Sequence, residues 1–384
     1  MPLNPNFIAI LPLATWLYLF FARGNFWQVH EETVELKPLN RWPRVVAIVP
    51  ARNEAETVSR AIASLAKQRY PGEFFTILVD DHSDDGTADL ARKAADECNA
   101  SGRISIHLAS ELPPGWTGKV WAMNEGIAAA AERAPDYFWL TDADITHAPD
   151  TLRRLVCQGE RDSLDLASLL AYLRVKTFPE RLLIPAFLYF FLTVYPPNWV
   201  IDPKSRAAAA AGGCILLRRS ALERIGGVTA VRSEVIEDCA LARAVKQSGG
   251  KIRLGLTRSS VSLRGYDSFA GIRDLIARVA FTQLRYSFLV LLGALTGLFV
   301  TYLLPWLLFF AFPGEAWVAV DTTIAMMAAT FAVAVKFYGL PWPWALTLPL
   351  AALFYAYATC VSAVRYWLGR GGQWKGRAQA PLKT

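Results

Sequence analysis

The sequence offers little cysteine or histidine with which to build a metal cluster or a disulfide framework. Its five cysteines include no CxxC pair, and its four histidines are scattered along the chain. A structural zinc site uses these residues at short, regular spacings, and no such pattern is present. The cysteines are interpreted as reduced thiols in a cytosolic compartment.

Charged residues are also scarce. They make up 19% of the 384 residues, whereas 53% are hydrophobic, which is too apolar for an ordinary soluble enzyme and indicates that part of the chain faces lipid. The net charge of +7 would suit nucleic acid, an anionic membrane or a phosphorylated substrate. The basic residues are dispersed and form no recognition motif, so the composition favours a membrane and argues against nucleic acid.

Four apolar runs account for much of this composition. Residues 7–22 form an uncharged run near the lower limit of about 17 to 25 residues for a membrane span. No basic residue precedes it and no small-x-small cleavage site follows it, so an uncleaved anchor is predicted in preference to a signal peptide. Three further runs, at 287–312, 316–335 and 344–364, predict three C-terminal transmembrane helices.

The predicted topology contains a conflict. One anchor and three later spans place the middle of the chain and the C-terminus on opposite sides of the membrane. The tail nevertheless carries basic residues that favour the cytoplasm, namely Arg365, Arg370, Lys375, Arg377 and Lys383. Either one apolar segment is re-entrant, or the large basic domain overrules the tail.

A further apolar segment, residues 181–201, is interrupted by Pro185, Pro196 and Pro197. It could be a buried core helix, a full span or a segment at the membrane interface. Its aromatic content and its position within the central region favour the interface.

Between Arg44 and about Arg258, short apolar runs alternate with segments of helical period. This alternation is typical of an α/β domain with a mostly parallel sheet. Strands are predicted at 45–49, 75–79, 104–108, 137–140, 166–170 and 210–217, with a helix after the first strand and another from Thr87.

Polar residues stand where these strands end, which is where open α/β sheets bind ligands. They are Arg52 and Glu54, with Pro50 beside them, after the first strand, Asp80 and Asp81 after the second, Asp142 and Asp144 after the fourth, and the pair Glu237–Asp238 before a helix.

Each of these motifs also has a purely structural interpretation. Asp142 and Asp144 have oxygen atoms suited to Mg²⁺ or Mn²⁺ beside a diphosphate, but one of them could simply cap the next helix. Asp81 could bond to a nucleotide or belong to a turn. Lys119 opens a helix and could bind phosphate or be an ordinary solvated lysine.

Taken together, these motifs resemble the family 2 glycosyltransferases, whose domain is of the nucleotide-sugar-binding GT-A type. The resemblance covers about residues 44–265, and its matching stretches are VVAIVPARNEAETV, ILVDDHSDDGT, GWTGKVWAMNEG, FWLTDADITHAPDTL, AAGGCILLRRSALERIGG and EVIEDCALARAVKQSGGK. It implies an inverting transfer in which Asp81 contacts the nucleotide, Asp142 and Asp144 hold a metal and diphosphate, and Asp238 is the base. Pro50, Arg52, Glu54 and Lys119 join the expected donor site.

Processive members of the family carry a Gln-x-x-Arg-Trp motif, and this chain has Thr282 and Tyr286 in place of its Gln and Trp. The departure makes a polysaccharide synthase less favoured, and Arg285 remains a candidate phosphate ligand. The layout resembles ceramide glucosyltransferases and, more closely, the hopene-associated glycosyltransferases of bacterial hopanoid biosynthesis. That resemblance implies a lipid acceptor, a hopanoid or another polyprenoid. A non-catalytic scaffold with this fold is the alternative from another class.

The predicted organisation is therefore an anchor at 1–23, a catalytic GT-A domain at 44–265 containing the interface segment 181–201, an amphipathic connector at 266–286, transmembrane helices at 287–366 and a basic tail at 367–384. The expected location is the bacterial cytoplasmic membrane, crossed several times, with the catalytic domain facing the cytoplasm.

Overall fold

The computed structural model describes residues 5–28, 31, 36, 39–312, 317–371, 373–374 and 377–378. These residues divide into two compact units. The sheet unit comprises the described residues within 31–174, 199–265 and 372–384, and the helical unit those within 1–30, 175–198 and 266–371. Residues 1–4 of the predicted anchor and half of the predicted basic tail, including Lys375 and Lys383, lie outside the described residues.

The elements run through the chain as follows. The strands are β1 (Val45–Ala51), β2 (Phe74–Asp80), β3 (Ile104–Leu108), β4 (Tyr137–Leu140), β5 (Ile145–His147), β6 (Leu166–Tyr172), β7 (Ile215–Arg218), β8 (Ile252–Ser262), β9 (Gln373–Trp374) and β10 (Arg377–Ala378). The helices are α1 (Pro5–Phe21), α2 (Val58–Ala66), α3 (Thr87–Glu97), α4 (Gly118–Ala129), α5 (Thr151–Arg161), α6 (Phe178–Val194), α7 (Pro197–Ile201), α8 (Arg219–Arg224), α9 (Glu237–Gln247), α10 (Phe269–Ala277), α11 (Ala280–Gln283), α12 (Phe288–Leu298), α13 (Leu304–Ala311), α14 (Trp317–Phe337) and α15 (Leu348–Trp367).

Strands β1 to β8 form one mixed sheet in the order β3-β2-β1-β4-β7-β6-β8-β5. The pairs β1·β2, β1·β4, β2·β3 and β6·β8 are parallel, whereas β7 is antiparallel to β4 and β6, and β5 is antiparallel to β8. The predicted α/β domain with a mostly parallel sheet is confirmed. Because β1, β2 and β4 run in the same direction, their carboxyl ends meet at one edge of the sheet.

The strand prediction fails in two respects. The run 210–217 is a strand only from Ile215, since Cys214 N closes a turn onto Ala211 O at 3.1 Å. Strands β5 and β8 were not predicted, because β5 is three residues long and β8 alternates apolar residues with arginine, serine and threonine.

The centre of the sheet unit is the buried strand β1, on which the helices pack. All seven residues of β1 are buried, and α2 contributes Val58, Ile62 and Leu65 to the same core. Helix α4 lies against β1 and β2 at a glycine, because a Cβ at Gly126 would fall 2.6 Å from Ile48 Cγ2. This close approach brings the N-terminus of α4, with Lys119, to the carboxyl ends of the strands.

The helical unit contains α1, α6 and the helices from α10 to α15. By length and composition, four helical stretches of the described chain could cross a membrane, and α1 is a shorter apolar helix. The four are Phe178–Ile201, Phe288–Ala311, Val318–Phe337 and Trp342–Trp367. Three of them correspond to the predicted C-terminal spans, and the first contains the predicted interface segment. In the predicted connector, α10 buries Ile272 and Ile276.

The first C-terminal stretch is interrupted by a π-helical turn, Phe299–Leu303, between α12 and α13. Pro305 has no N–H with which to bond the carbonyl of Thr301, four residues before it. The indole Nε1 of Trp16 donates to that carbonyl at 2.8 Å instead. Trp16, buried on α1, therefore satisfies an acceptor that the proline leaves without its helical donor.

Candidate active site

The loops after β1 and β2 are joined by side-chain contacts. Asp81 is fully buried, and its backbone N–H donates to Ala51 O at 2.8 Å. Arg52 Nη1 donates to the Asp81 carbonyl and lies 3.7 Å from Asp81 Oδ2. Two of the residues predicted to form the donor site, Arg52 and Asp81, are therefore in direct contact.

A second set of bonds holds the same two loops. Asn53 adopts a left-handed conformation, with φ of 51°, and its N–H donates to Ser83 Oγ at 2.9 Å. Glu54 N donates to Thr87 Oγ1 at 2.8 Å. Asp85 accepts from Ala55 N and from Thr87 at the start of α3; burial raises the pKa of Asp85, but these hydrogen bonds outweigh burial and lower it. The second half of the DDHSDDGT motif therefore has a structural role, because Asp85 joins the loop after β1 to the start of α3.

Lys119 lies between two carboxylates. Its Nζ donates to Asp142 Oδ1 and to Glu237 Oε1, both at 2.7 Å. Burial alone would lower the pKa of Lys119, but the two negative partners raise it well above its usual value. The solvated-lysine alternative is therefore wrong, because Lys119 is a largely buried cation that joins the end of β4 to the start of α9.

Asp238 is held by backbone N–H groups at the start of α9. Its Oδ2 accepts from Gly212 N at 2.8 Å, and its Oδ1 accepts from Cys239 N at 2.7 Å. Burial and the neighbouring charge of Glu237 raise the pKa of Asp238 to about 6, although Lys119 and the two backbone bonds act in the opposite direction. A carboxylate with such a pKa is ionised near pH 7 and still basic enough to accept a proton.

Gly212 borders this group of charges. A Cβ at that position would lie 3.0 Å from Lys119 Nζ and 3.6 Å from both Asp238 Oδ2 and Glu237 Oε1. A cavity opens here, lined by Pro50, Lys119, Met123, Leu140, Thr141, Asp142, Gly212, Ile215, Glu237, Asp238 and Leu241. The structure therefore brings together four of the predicted site residues, namely Pro50, Lys119, Asp142 and Asp238.

Asp144 and Glu54 are joined by a residue that the sequence analysis did not single out. Arg264 Nε donates to Asp144 Oδ2 at 2.9 Å, and its Nη2 donates to Glu54 Oε1 at 2.9 Å. Arg264 follows β8, so 120 residues of sequence separate it from Asp144, and no local motif connects the two. Glu237 and Gly212 were part of quoted motifs, but neither had been assigned a role.

A buried chain of hydrogen bonds starts at Thr141, the residue before Asp142. Thr141 Oγ1 donates to Gly213 O at 2.9 Å, so it must accept from His147 Nε2, 2.8 Å away. His147 Nδ1 then accepts from Ser260 Oγ at 2.9 Å. Burial lowers the pKa of His147 to about 3, so the ring is neutral at physiological pH and links β5, β4 and β8 to the glycine turn.

Arg285 belongs to the helical unit. It follows α11 and has a φ of 55°. Its proposed role in phosphate binding stays a prediction. Within the described residues, no three histidine, cysteine or acidic side chains come together as a metal-binding cluster.

Comparison with known proteins identifies the central segment. Residues 46–226 match the family model described as Glycosyl transferase family 2. The match covers 181 of the 384 residues of the chain. The family 2 match includes the loops after β1, β2 and β4, together with Lys119 and Gly212, whereas Glu237, Asp238 and Arg264 lie beyond its end.

Two curated relatives share part of the sequence. "Glucomannan 4-beta-mannosyltransferase 7" of Arabidopsis thaliana is 30% identical over 132 residues, which are 34% of this chain and 23% of that protein. An N-acetylglucosaminyltransferase of Mesorhizobium japonicum is 28% identical over 197 residues, 47% of this chain and 41% of the relative. The chain thus spans less than half the length of these relatives. The predicted closeness to hopene-associated and ceramide glucosyltransferases stays a prediction.

A solved structure is similar over almost the whole chain. It is a mannosyltransferase from Pyrobaculum calidifontis in complex with GDP-Man and Mn²⁺. The likeness covers 93% of this chain and 99% of the other, with 18% identity and a TM-score of 0.54. It shows that the matched segment lies within a fold of the GT-A type, as the sequence resemblance implied.

Proposed function

We propose that this protein transfers one sugar, with inversion, from a nucleoside-diphosphate donor to a lipid acceptor at the cytoplasmic face of a bacterial membrane. The observation that carries the proposal is the double ion pair of Lys119. It joins Asp142, at the end of a central strand, to Glu237, the neighbour of Asp238. A candidate phosphate site and a candidate base therefore line one cavity.

The donor side rests on the loops after β1 and β2. Asp81 is buried beside Arg52 at the carboxyl ends of parallel strands, where nucleotides bind in open α/β sheets. Lys119, close to the N-terminus of α4, supplies a fixed positive charge for the diphosphate. We assign the nucleotide to Asp81 and Arg52, and the diphosphate to Lys119 and the end of β4.

The donor set at Asp142 and Asp144 fits a divalent cation. Mg²⁺ commonly binds through one or two carboxylates and completes its coordination with substrate phosphates and water. The acidic side chains of the site outnumber the basic ones, so a diphosphate entering alone would meet net negative charge. The acidic residues are Glu54, Asp81, Asp142, Asp144, Glu237 and Asp238, and the basic ones are Arg52, Lys119 and Arg264.

Asp142 and Asp144 would hold Mg²⁺ or Mn²⁺, and the bound ion would neutralise charge on the departing diphosphate. The mannosyltransferase of similar fold contains Mn²⁺ together with GDP-Man, which supports both classes of ligand.

The remaining chemistry belongs to Asp238. As the acceptor hydroxyl oxygen bonds to the anomeric carbon, its proton passes to the Asp238 carboxylate. The bond from the anomeric carbon to the diphosphate breaks, and its electron pair leaves with the diphosphate. The backbone bonds from Gly212 and Cys239 hold the carboxylate in place throughout.

The lipid acceptor is proposed from two features. The helical unit contains stretches long and apolar enough to cross a membrane, which would keep the enzyme beside lipid substrates. The motif resemblance to hopene-associated glycosyltransferases points to a hopanoid or another polyprenoid. Under this proposal the acceptor receives a single sugar.

Mass spectrometry of total lipids tests the proposal. Cells that express the wild-type gene should contain a lipid that is one sugar heavier than its acceptor, and cells without the gene should lack this lipid. Asp238→Asn should also remove the product. Asp89→Asn is the matched control, because Asp89 is exposed on α3 and pairs with Arg92. A polymer in place of the singly glycosylated lipid would identify a polysaccharide synthase. Absence of any product from wild-type cells, with the protein present in the membrane, would contradict the proposal.

A further inference from the structure

The guanidinium of Arg264 holds the second carboxylate of the Asp142/Asp144 pair. Besides its bond from Nε to Asp144, its Nη2 reaches both oxygens of Glu54, at 2.9 and 3.1 Å. The backbone beside it is held too, since Leu263 N donates to Asp144 O at 2.8 Å. Arg264 is thus tied, through main chain and side chain, to the strand end that the proposed cation would use.

This arrangement opposes binding of a cation. The guanidinium engages one oxygen of Asp144, and its positive charge repels a second cation at contact distance. The carboxylates of Asp144 and Glu54 are 15% and 11% exposed, whereas the Arg264 side chain is 35% exposed. The arginine has solvent to move into, while its two partners are held in the protein.

We infer that Arg264 is a positioning residue that latches Asp144 in the donor-free site and releases it when cation and nucleoside diphosphate bind together. The inference rests on the proposed function, because it requires the cation at Asp142 and Asp144. A released guanidinium has a natural second partner in the diphosphate, whose oxygens match its planar array of donors. The latch therefore disfavours binding of the cation alone and couples cation binding to nucleotide binding.

Mn²⁺ binding to the purified full-length protein in detergent tests the latch. Calorimetric titrations would be made without nucleotide, with GDP and with UDP, on the wild type and on Arg264→Gln. Without nucleotide, the variant should bind Mn²⁺ roughly tenfold more tightly, which is the scale of a partly buried, charge-assisted ion pair. The gain in Mn²⁺ affinity on adding the nucleotide should shrink by a similar factor, because the variant has no ion pair at Asp144 for the nucleotide to release.

The direction of the change in Mn²⁺ affinity separates a latch from a structural role. Loss of a latch would tighten Mn²⁺ binding, whereas damage to the fold would weaken it. Arg253→Gln is the matched control: Arg253 pairs with Asp162 at 3.6 Å on another part of the sheet unit, and its loss should leave Mn²⁺ affinity unchanged. Arg264→Lys keeps a cation without the planar array of donors and should fall between wild type and Arg264→Gln. Asp144→Asn should remove the Mn²⁺ site in every background.

Two results would overturn the latch in distinguishable ways. Unchanged or weaker Mn²⁺ binding by Arg264→Gln, with the site still lost in Asp144→Asn, would overturn the latch and leave the proposed cation site standing. If neither wild type nor Arg264→Gln showed Mn²⁺ binding that depends on Asp144, with or without nucleotide, both the latch and the cation site of the proposed function would be wrong.

Discussion

Replacing Lys119 by methionine tests whether one ammonium group keeps the proposed base ionised. In the wild type, burial and Glu237 raise the pKa of Asp238 to about 6, while Lys119 acts to lower it. Methionine retains an unbranched side chain and removes the charge. Asp238 should then bind a proton more readily, so the acidic limb of the pH-rate profile should move to higher pH.

The size of this shift follows from the distances around Gly212. A Cβ there would lie 3.0 Å from Lys119 Nζ and 3.6 Å from Asp238 Oδ2, so adding the two distances places the charged atoms no more than about 6.6 Å apart. With an effective dielectric constant of about 20, their attraction at that distance is about 2.5 kcal/mol, or roughly 1.8 pKa units. The acidic limb should therefore move from about pH 6 to roughly pH 8. The loss of the phosphate contact lowers kcat/KM equally at every pH, so the shift is measured as a rise of about sixfold in the ratio of variant to wild-type activity between pH 7 and pH 9.

The assay is kcat/KM as a function of pH, which reports ionisations of the free enzyme and therefore matches the donor-free site. Lys93→Met is the control, because Lys93 is an exposed lysine on α3 whose partner, Glu97, lies 3.9 Å away. A Lys119→Met profile lowered by the same factor at every pH would refute the reasoning. It would show that Lys119 serves the donor phosphate and does not set the pKa of the base.

Three further predictions concern the base, a buried histidine and the membrane. Asp238→Asn should lower kcat by roughly 10²- to 10⁴-fold while calorimetry shows donor binding retained; near-normal turnover of a folded variant would make Asp238 only a structural residue of α9. His147 has a pKa of about 3 when folded, below the usual value near 6.5, so the unfolded chain binds the proton first as the pH falls. Stability should therefore drop below pH 6.5, with a slope that approaches about 1.4 kcal/mol per pH unit, and His147→Asn should flatten this slope in chemical unfolding. Carbonate extraction should leave the protein in the membrane pellet, and release into the supernatant would contradict the predicted spans.

The sequence predicted the strand-end residues because their signal is local. Apolar runs predicted β1, β2 and β4 closely, and each ends in polar residues that the parallel pairing then collects at one edge. Lys119 could also be placed, because the pattern around it predicts a helix start. What could not be predicted is which charges meet: the pairing of Lys119 with Glu237 depends on how α4 and α9 pack.

Arg264 shows the limit most clearly. Nothing in the pattern around it distinguishes it from the other arginines of the chain, since β8 was not predicted and its partners belong to distant loops. Gly212 was visible within the Ala-Gly-Gly-Cys run, but a strand was predicted there. The turn forms instead, and its backbone N–H is used to bind Asp238.

The sheet also restricts how the chain can cross a membrane. Helix α6 lies between β6 and β7 in sequence, and Leu166 of β6 pairs with Leu217 of β7 in one sheet. A single crossing by the stretch Phe178–Ile201 would put these hydrogen-bonded strands on opposite sides of the membrane. Although this stretch is long and apolar enough to cross, it must begin and end on the same side, which is compatible with the predicted interface segment. The side of the C-terminus then depends on the crossings made by the helices from Phe288 onwards.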